Sequence, residues 1–229
     1  MNTIIGSLGE SSLHASLKEL YANPGDLVEW EILGSVVDVF KHSEIVEIQT
    51  GSFGKLKSKL KKFLPMYPVR VVLPLALERY VVRVDKVGNE VSRRRSPKKA
   101  KFEDLFSLII HLGPGFVGGS FVLEVVMVTD EVIWKDDGKG SWRRKGWSVA
   151  DRRLLTVIGQ REFHSKADYL TLLPSGLPCE FTVKQLALLG KMPNRLAGKM
   201  VYFLKQIQAL ENVGRDGRAN LYRLVESSE

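Results

Sequence analysis

A predicted two-strand hairpin between residues 34 and 51 constrains the fold of this chain more than any other segment. Its strands cover residues 36–40 and 45–50, and a polar turn at residues 41–43 joins them. The side chains of a strand alternate in face. The segment therefore predicts a sheet that packs one face against a core.

Three polar residues of this hairpin predict a metal site. Glu47 and Gln49 point the same way, while Ile48, between them, points into the core. Asp38, near the end of the preceding strand, can join them across the ladder. Acids placed there are costly unless they serve a purpose. Carboxylates on adjacent strands make a site for a hard divalent cation such as magnesium.

The spacing Asp-x8-Glu-x-Gln resembles the signature of the PD-(D/E)XK nuclease superfamily, the restriction-endonuclease-like fold. The resemblance implies that Asp38, Glu47 and the Ile48 carbonyl hold Mg²⁺ or Mn²⁺. It also implies that Gln49 orients the attacking water, in the place where the family usually has lysine. The chain departs from the pattern a second time, because Val37 stands where a proline precedes the aspartate.

A predicted helix opens around residues 9–12 and ends at the breaker Asn23-Pro24-Gly25. Glu10 is expected in its first turn, where the helix dipole favours a carboxylate. In many nucleases of the superfamily an acid on the first helix completes the metal site. A capping role and a catalytic role for Glu10 both stay open.

The predicted order of elements extends the resemblance over residues 6–85. The first helix is followed by a strand at residues 27–33, the hairpin, a lysine-rich helix at residues 53–64 and a strand at residues 69–73. The resemblance therefore implies an α/β, restriction-endonuclease-like fold with a mixed central sheet flanked by helices. Lys55, on the lysine-rich helix, is either solvated or lines the path of a DNA backbone.

The middle of the chain completes a catalytic domain that is predicted over residues 1–160. A strongly apolar helix is expected at residues 102–112, followed by a long strand at residues 120–134. A turn then leads into residues 142–149, so that this part is predicted to form a hairpin with basic and aromatic residues near its tip.

The charge distribution indicates a polyanionic partner. The net charge is +8, but residues 1–54 hold two lysines against eight acids, so the rest of the chain carries +14. An acidic pocket surrounded by basic segments suits a nuclease, although each basic segment alone is typical of a solvated loop. The residues expected to contact DNA in the middle of the chain are Arg93, Arg94, Arg95, Arg143 and Arg144.

The C-terminal segment predicts a second domain at residues 164–229. A helix near residues 166–173, a helix at 181–189, a longer helix at 195–210 and a hairpin at 212–225 resemble a winged helix-turn-helix domain. In such modules the second helix enters the major groove and the wing touches the backbone. The resemblance implies DNA contacts from the turn, the second helix and the wing: Lys191, Arg195, Lys199, Lys205, Arg215 and Arg218. Winged helices also bind proteins, and that alternative stays open.

Composition narrows the classes of protein to which this chain can belong. No apolar run approaches the length of a membrane span, and the start of the chain lacks the features of a signal peptide. Cys179 is the single cysteine, which excludes an intrachain disulfide and a CxxC zinc site. We therefore expect a cytoplasmic protein that does not bind membranes.

Together these patterns predict a metal-dependent DNA endonuclease with a winged-helix domain. A homodimer fits this activity, since cutting both strands usually takes two active sites. The alternative is a catalytically inactive DNA-binding or regulatory protein on a degenerate nuclease scaffold, which Gln49 and the missing proline favour.

Overall fold

The computed structural model describes residues 11–51, 53–140, 142 and 146–225. Two compact units share the chain, and each is built from segments that are separated in sequence. The first unit contains residues 1–50, 69–101 and 124–161, and the second contains residues 51–68, 102–123 and 162–229. The predicted boundary between residues 160 and 164 falls where the chain passes from the first unit to the second for the last time.

The first unit begins with helix α1 (Ser12–Tyr21), whose N-cap Ser11 accepts a hydrogen bond from the backbone N–H of His14. Three antiparallel strands follow: β1 (Leu27–Ile32), β2 (Ser35–Lys41) and β3 (Glu44–Ile48). Tight turns join them, with Gly34 and Ser43 among the residues at positive φ. The predicted helix and hairpin are confirmed.

A parallel pair of strands follows the hairpin. Helix α2 (Gly54–Phe63) lies in sequence between β3 and β4 (Val69–Val84), and β4 pairs in parallel with β3 from Ile45 opposite Val69 onwards. Parallel neighbours need a long connection, and residues 49–68 supply it. The sequence predicted β4 only as far as residue 73, because the arginines and Tyr80 in its second half interrupt the apolar pattern.

Three further strands complete a seven-stranded mixed sheet. They are β5 (Glu90–Arg95), β6 (Phe121–Asp136) and β7 (Trp147–Phe163). The strand order is β1-β2-β3-β4-β6-β7, and β5 pairs with β4 outside this path. The prediction of an α/β fold with a mixed central sheet is confirmed, whereas β5, which is charged and wholly exposed, gave no strand signal in the sequence.

The core of the first unit packs α1 against one face of this sheet. Leu13 and Leu17 of α1 are fully buried. They belong to one apolar cluster with residues from four strands: Val39, Val46, Ile48, Val72, Val126 and Val128. The burial of Ile48 confirms the predicted alternation along β3.

The second unit carries the C-terminal elements. A short 3₁₀ turn (Phe102–Leu105) and helix α3 (Phe106–Ile109) replace the continuous helix predicted at residues 102–112. After them come α4 (Lys166–Leu170), β8 (Glu180–Phe181), α5 (Val183–Leu189), α6 (Asn194–Gln206), β9 (Leu210–Asp216) and β10 (Ala219–Leu224). The three strands form a small sheet in the order β8-β10-β9.

Aromatic side chains build the core of the second unit. The rings of Tyr169 and Phe203 lie 5.1 Å apart, and that of Phe106 lies 5.7 Å from Phe203. Phe163 stacks on Tyr169 at 5.0 Å. The C-terminal helices therefore share one core with α3. In the part of the chain that the structure describes, no helix is long and apolar enough to cross a membrane.

Candidate active site

The ladder between β2 and β3 ends beside the two predicted carboxylates. Its register pairs Lys41 with Glu44, Phe40 with Ile45 and finally Val39 with Val46. Asp38 and Glu47 are the next residue on each strand beyond the last pair. The two acids therefore stand where the pairing of these strands stops, on adjacent strands, as the sequence predicted.

The Asp38 carboxylate connects three elements. Its Oδ2 atom accepts a hydrogen bond of 2.7 Å from the backbone N–H of Ile48 on β3. The same oxygen lies 3.3 Å from Nε2 of His14 on α1, and both side chains are less than one-fifth exposed. Neither contact uses Oδ1, which accepts no hydrogen bond from a described residue. One oxygen thus fixes the carboxylate, and the other has lone pairs for a further partner.

Glu47 is a buried acid whose two neighbours on β3 are both apolar. Val46 and Ile48 both belong to the apolar cluster, so the alternation along β3 turns Glu47 to the other face of the sheet. Only 5% of Glu47 is exposed. Low local dielectric strengthens each electrostatic interaction that such a carboxylate makes, including one with a cation.

Gln49 continues the line of β3 beyond its last residue. Its backbone N–H donates a hydrogen bond of 2.8 Å to the carbonyl of Val72 on β4. The side chain, which is half-buried, follows Glu47 by two positions and therefore lies on the same face of an extended chain. Its amide can both donate and accept hydrogen bonds, but it carries no charge.

Helix α1 is fixed to the sheet at both ends, and this fixes the place of His14. At the start, the backbone N–H and the hydroxyl of Ser12 donate to the Asp151 carboxylate on β7 at 2.9 and 2.6 Å. Burial opposes ionisation of Asp151, but these bonds and one from the Arg152 N–H outweigh it and lower its pKa. At the other end, the Tyr21 hydroxyl donates to Glu124 at 2.5 Å.

The donor set at this site suits a hard cation. The carboxylates of Asp38 and Glu47 and the Ile48 carbonyl are all oxygen ligands, as Mg²⁺ and Mn²⁺ prefer. The open Oδ1 of Asp38 is the observation that favours such a ligand. Over residues 11–51, 53–140, 142 and 146–225, no group of three or more His, Cys, Asp or Glu is arranged to hold a metal. Glu10, the predicted third acid, lies outside those residues.

The predicted DNA-binding arginines of β5 differ in their surroundings. Arg93 pairs with Glu131 at 2.7 Å and stacks over the Tyr80 ring at 4.0 Å. Arg95 pairs with Glu78. Arg94, which points to the opposite face of the strand, is exposed and pairs with no described residue. The cationic charge of β5 is therefore largely neutralised within the chain.

The basic residues of the C-terminal segment are mostly unpaired. Four of them are exposed and make no ion pair with a described residue: Lys191, Arg195, Arg215 and Arg218. Lys199 instead donates from Nζ to the carbonyl of Ser107 at 3.4 Å and is half-buried. Lys205 lies over the Tyr222 ring at 5.6 Å. Arg143 and Arg144 lie outside the described residues, as does the side chain of Lys55.

Two residues of this site were not predicted. His14 contacts Asp38, and Asp151 holds the helix that carries His14. His14 had no sequence signal for this contact, because it lies 24 positions from Asp38. Asp151 had none, because it lies 139 positions from its partner.

Comparison with known proteins places the chain in a family. A family model described as Domain of unknown function (DUF8091) matches residues 11–164, which include His14, Asp38 and Glu47. An uncharacterized protein of Treponema pallidum (strain Nichols) is 34% identical over 221 residues, covering 96% of this chain and 87% of the relative. No solved structure matches the chain. This chain therefore belongs to the family described as Domain of unknown function (DUF8091).

Proposed function

We propose that this protein is a metal-dependent DNA endonuclease. The observation that carries the proposal is the placement of Asp38 and Glu47 on adjacent strands, at the point where their ladder ends. The hydrogen bond from Ile48 and the contact with His14 hold Asp38 in place and leave its Oδ1 for a ligand. A preorganised oxygen site of this kind suits phosphodiester hydrolysis.

The connectivity around the site supports the same proposal. The order α1, β1, β2, β3, α2, β4 is the order expected of a restriction-endonuclease-like core. Its first three strands are antiparallel, and the fourth runs parallel to the third. In that family the catalytic acids lie on the second and third strands, which are the strands that carry Asp38 and Glu47 here.

The residues have distinct roles in the proposed reaction. Asp38, Glu47 and the Ile48 carbonyl would hold the divalent cation, which supplies Lewis acidity and lowers the pKa of a bound water. Gln49 orients the attacking water by hydrogen bonding through its side-chain amide. We assign His14 a positioning role, because it contacts Asp38 from α1's side of the site, at 3.3 Å. Gln49 has no charge, so neutralisation of the scissile phosphate would fall more heavily on the divalent cation.

The C-terminal segment supports DNA binding by the same protein. The succession α4, β8, α5, α6, β9, β10 and the strand order β8-β10-β9 agree with a winged helix-turn-helix. Arg195 at the start of α6, together with Arg215 and Arg218 of the β9–β10 hairpin, is exposed and available for phosphates. We assign contacts with the DNA backbone to these three arginines.

The decisive experiment measures cleavage of supercoiled plasmid, linear duplex, branched and single-stranded DNA, with EDTA, Mg²⁺ or Mn²⁺. We expect metal-dependent cleavage of at least one substrate by the wild type and none by the Glu47→Gln variant. Because Glu31 is exposed on β1, the Glu31→Gln variant is the matched control and should cleave normally. Cleavage that persists in the Glu47→Gln variant would contradict the assignment of the site.

A second candidate is a DNA-binding protein that has lost catalysis. Two observations favour it: Gln49 stands in place of the usual lysine, and no three-ligand metal group occurs among the described residues. Manganese binding separates the candidates, since paramagnetic Mn²⁺ is readily followed by its spin resonance signal. A protein that binds duplex DNA but neither binds Mn²⁺ nor cleaves any of the four substrates belongs to the second class.

A further inference from the structure

Strand β7 forms an outer edge of the seven-stranded sheet. It pairs with β6, and no other described strand lies beyond it. Residues 155–160 are all exposed, so neither face of this stretch is covered. Its neighbour β6 differs sharply, since residues 123–130 are buried without interruption.

The exposed stretch is apolar and lacks the features that keep edge strands from pairing with other strands. Leu155, Val157 and Ile158 are 45%, 38% and 48% exposed. Alternation puts the first two on one face and Ile158 on the other. Natural edge strands usually avoid such a surface by means of lysine, proline or a bulge, yet residues 154–160 contain no charged residue and no proline. A long, uncharged edge of this kind is a template for another strand.

The sequence of β7 is complementary to itself when it is read in the opposite direction. With Thr156 opposite Thr156 of a second copy, Leu155 lies opposite Val157 and Leu154 opposite Ile158. The same register brings Asp151 opposite Arg161, an opposite-charge pair of the kind that stabilises antiparallel strands.

Neighbouring registers lack this complementarity. Centred between Thr156 and Val157, the pairing puts Arg152 opposite Arg161, and like charges directly opposite each other are destabilising. Centred between Leu155 and Thr156, it sets Arg153 against Ile158 and leaves Asp151 opposite an uncharged glutamine. Of these three registers, the one centred at Thr156 matches both the charges and the apolar residues best.

We propose that β7 pairs with β7 of a second copy of this chain, antiparallel about a two-fold axis at Thr156. The two sheets then form one continuous sheet across the dimer. The pairing satisfies the backbone groups of both edges and brings Leu155, Val157 and Ile158 beside apolar cross-strand neighbours. This inference does not depend on the nuclease proposal, because a dimer of either candidate function would use the same edge.

Sedimentation equilibrium tests the interface. We expect the full chain to be a dimer at micromolar concentration, and the double variant Leu155→Lys with Val157→Lys to be a monomer with an unchanged circular dichroism spectrum. Val91→Lys is the matched control, because Val91 is 62% exposed on β5, which pairs only with β4 among the described strands. It should remain a dimer. A monomeric wild type, or a double variant that still dimerises, overturns the proposal.

Cross-linking tests the register and does not depend on the lysine variants. In a Cys179→Ser background, the Thr156→Cys variant should form an interchain disulfide under mild oxidation, since position 156 faces itself across the axis. The Gln160→Cys variant should not, because its two copies would lie about 27 Å apart along the strands. Equal cross-linking of both variants, or of neither, would show that the strands do not pair in this register.

Discussion

The Asp38 carboxylate accepts a 2.7 Å hydrogen bond from the backbone N–H of Ile48, and both residues lie beyond Val39 and Val46, the last backbone pair of their two strands. A side chain thus satisfies a strand N–H beyond the end of the β2–β3 ladder. Asp38 therefore stabilises the end of the hairpin as well as standing at the proposed metal site. Variants at this position must separate the two contributions.

The Asp38→Asn variant should separate the contribution of Asp38 to stability from its contribution to metal binding. The asparagine carbonyl can still accept from Ile48, but it has lost the charge that attracts a cation, so cleavage should fall by roughly 100-fold or more with little change in thermal stability. Asp38→Ala should lose the activity and also about 1–3 kcal/mol of stability, because the Ile48 N–H loses its acceptor. Single-turnover cleavage and urea unfolding measure the two effects. Equal stability of both variants would count against the structural role.

The second prediction concerns the uncharged residue at the usual lysine position. Gln49→Ala should reduce the cleavage rate by roughly 100-fold, as expected when a water-orienting group is lost. Gln49→Lys should retain or increase activity, because lysine can donate a hydrogen bond and also neutralise charge. If the alanine variant cleaves at the wild-type rate, Gln49 is only a strand residue.

His14 provides a test of the positioning contact. Removal of the ring in His14→Ala frees Asp38 to rotate, so the affinity for Mn²⁺ should fall by about 10-fold, a typical effect of losing a group that orients a ligand. Spin resonance titration measures this without DNA. His42 is exposed in the turn after β2, and His42→Asn is the matched control that should leave the affinity unchanged. Unaltered affinity in the His14 variant would remove it from the site.

The salt dependence of DNA binding tests the C-terminal contacts. Glutamine at Arg195, Arg215 and Arg218 should lower the slope of log affinity against log salt by about 0.9 for each lost phosphate contact. Glutamine at Arg93 and Arg95 is the control and should change the slope less, because both side chains are already paired with acids. Substitution is preferable to truncation, since Phe203 packs with Phe106. An unchanged slope in the triple variant would favour a protein-binding role for this segment.

The start of α4 should make stability depend on pH. Burial opposes ionisation of Asp168, but hydrogen bonds from the N–H groups of Ser165 and His164 prevail and lower its pKa below the ordinary carboxyl value. A lowered folded-state pKa stabilises the protein above the unfolded value near pH 4, and this contribution is lost as the pH falls through the folded value.

Asp168→Ala measures that contribution. We expect the variant to be less stable than the wild type by about 1 kcal/mol at neutral pH, and the difference to shrink as the pH falls below about 4. Asp216→Ala is a suitable control, because Asp216 is exposed and its side chain bonds to no described residue. A difference that stays constant down to pH 2 would contradict the assigned hydrogen bonds.

The local elements of the fold could be predicted because their signals lie within a few residues. The alternation along β3, the turn between β2 and β3 and the end of α1 before Asn23-Pro24-Gly25 all depend on near neighbours. The strand β5 could not be predicted in the same way. Its residues are charged and exposed, and pairing with β4 is what makes them a strand.

The sequence by itself determined the order of elements from α1 to β4, the α/β class and the placement of Asp38 and Glu47 on neighbouring strands. Periodicity carries that information, since a repeat of two or of 3.6 residues sorts side chains into faces. Only the tertiary structure decided that His14 reaches Asp38, that Asp151 fixes α1 and that Arg93 is neutralised by Glu131. Those partners lie far apart in the chain, and pairs brought together by folding leave no periodic pattern in the sequence.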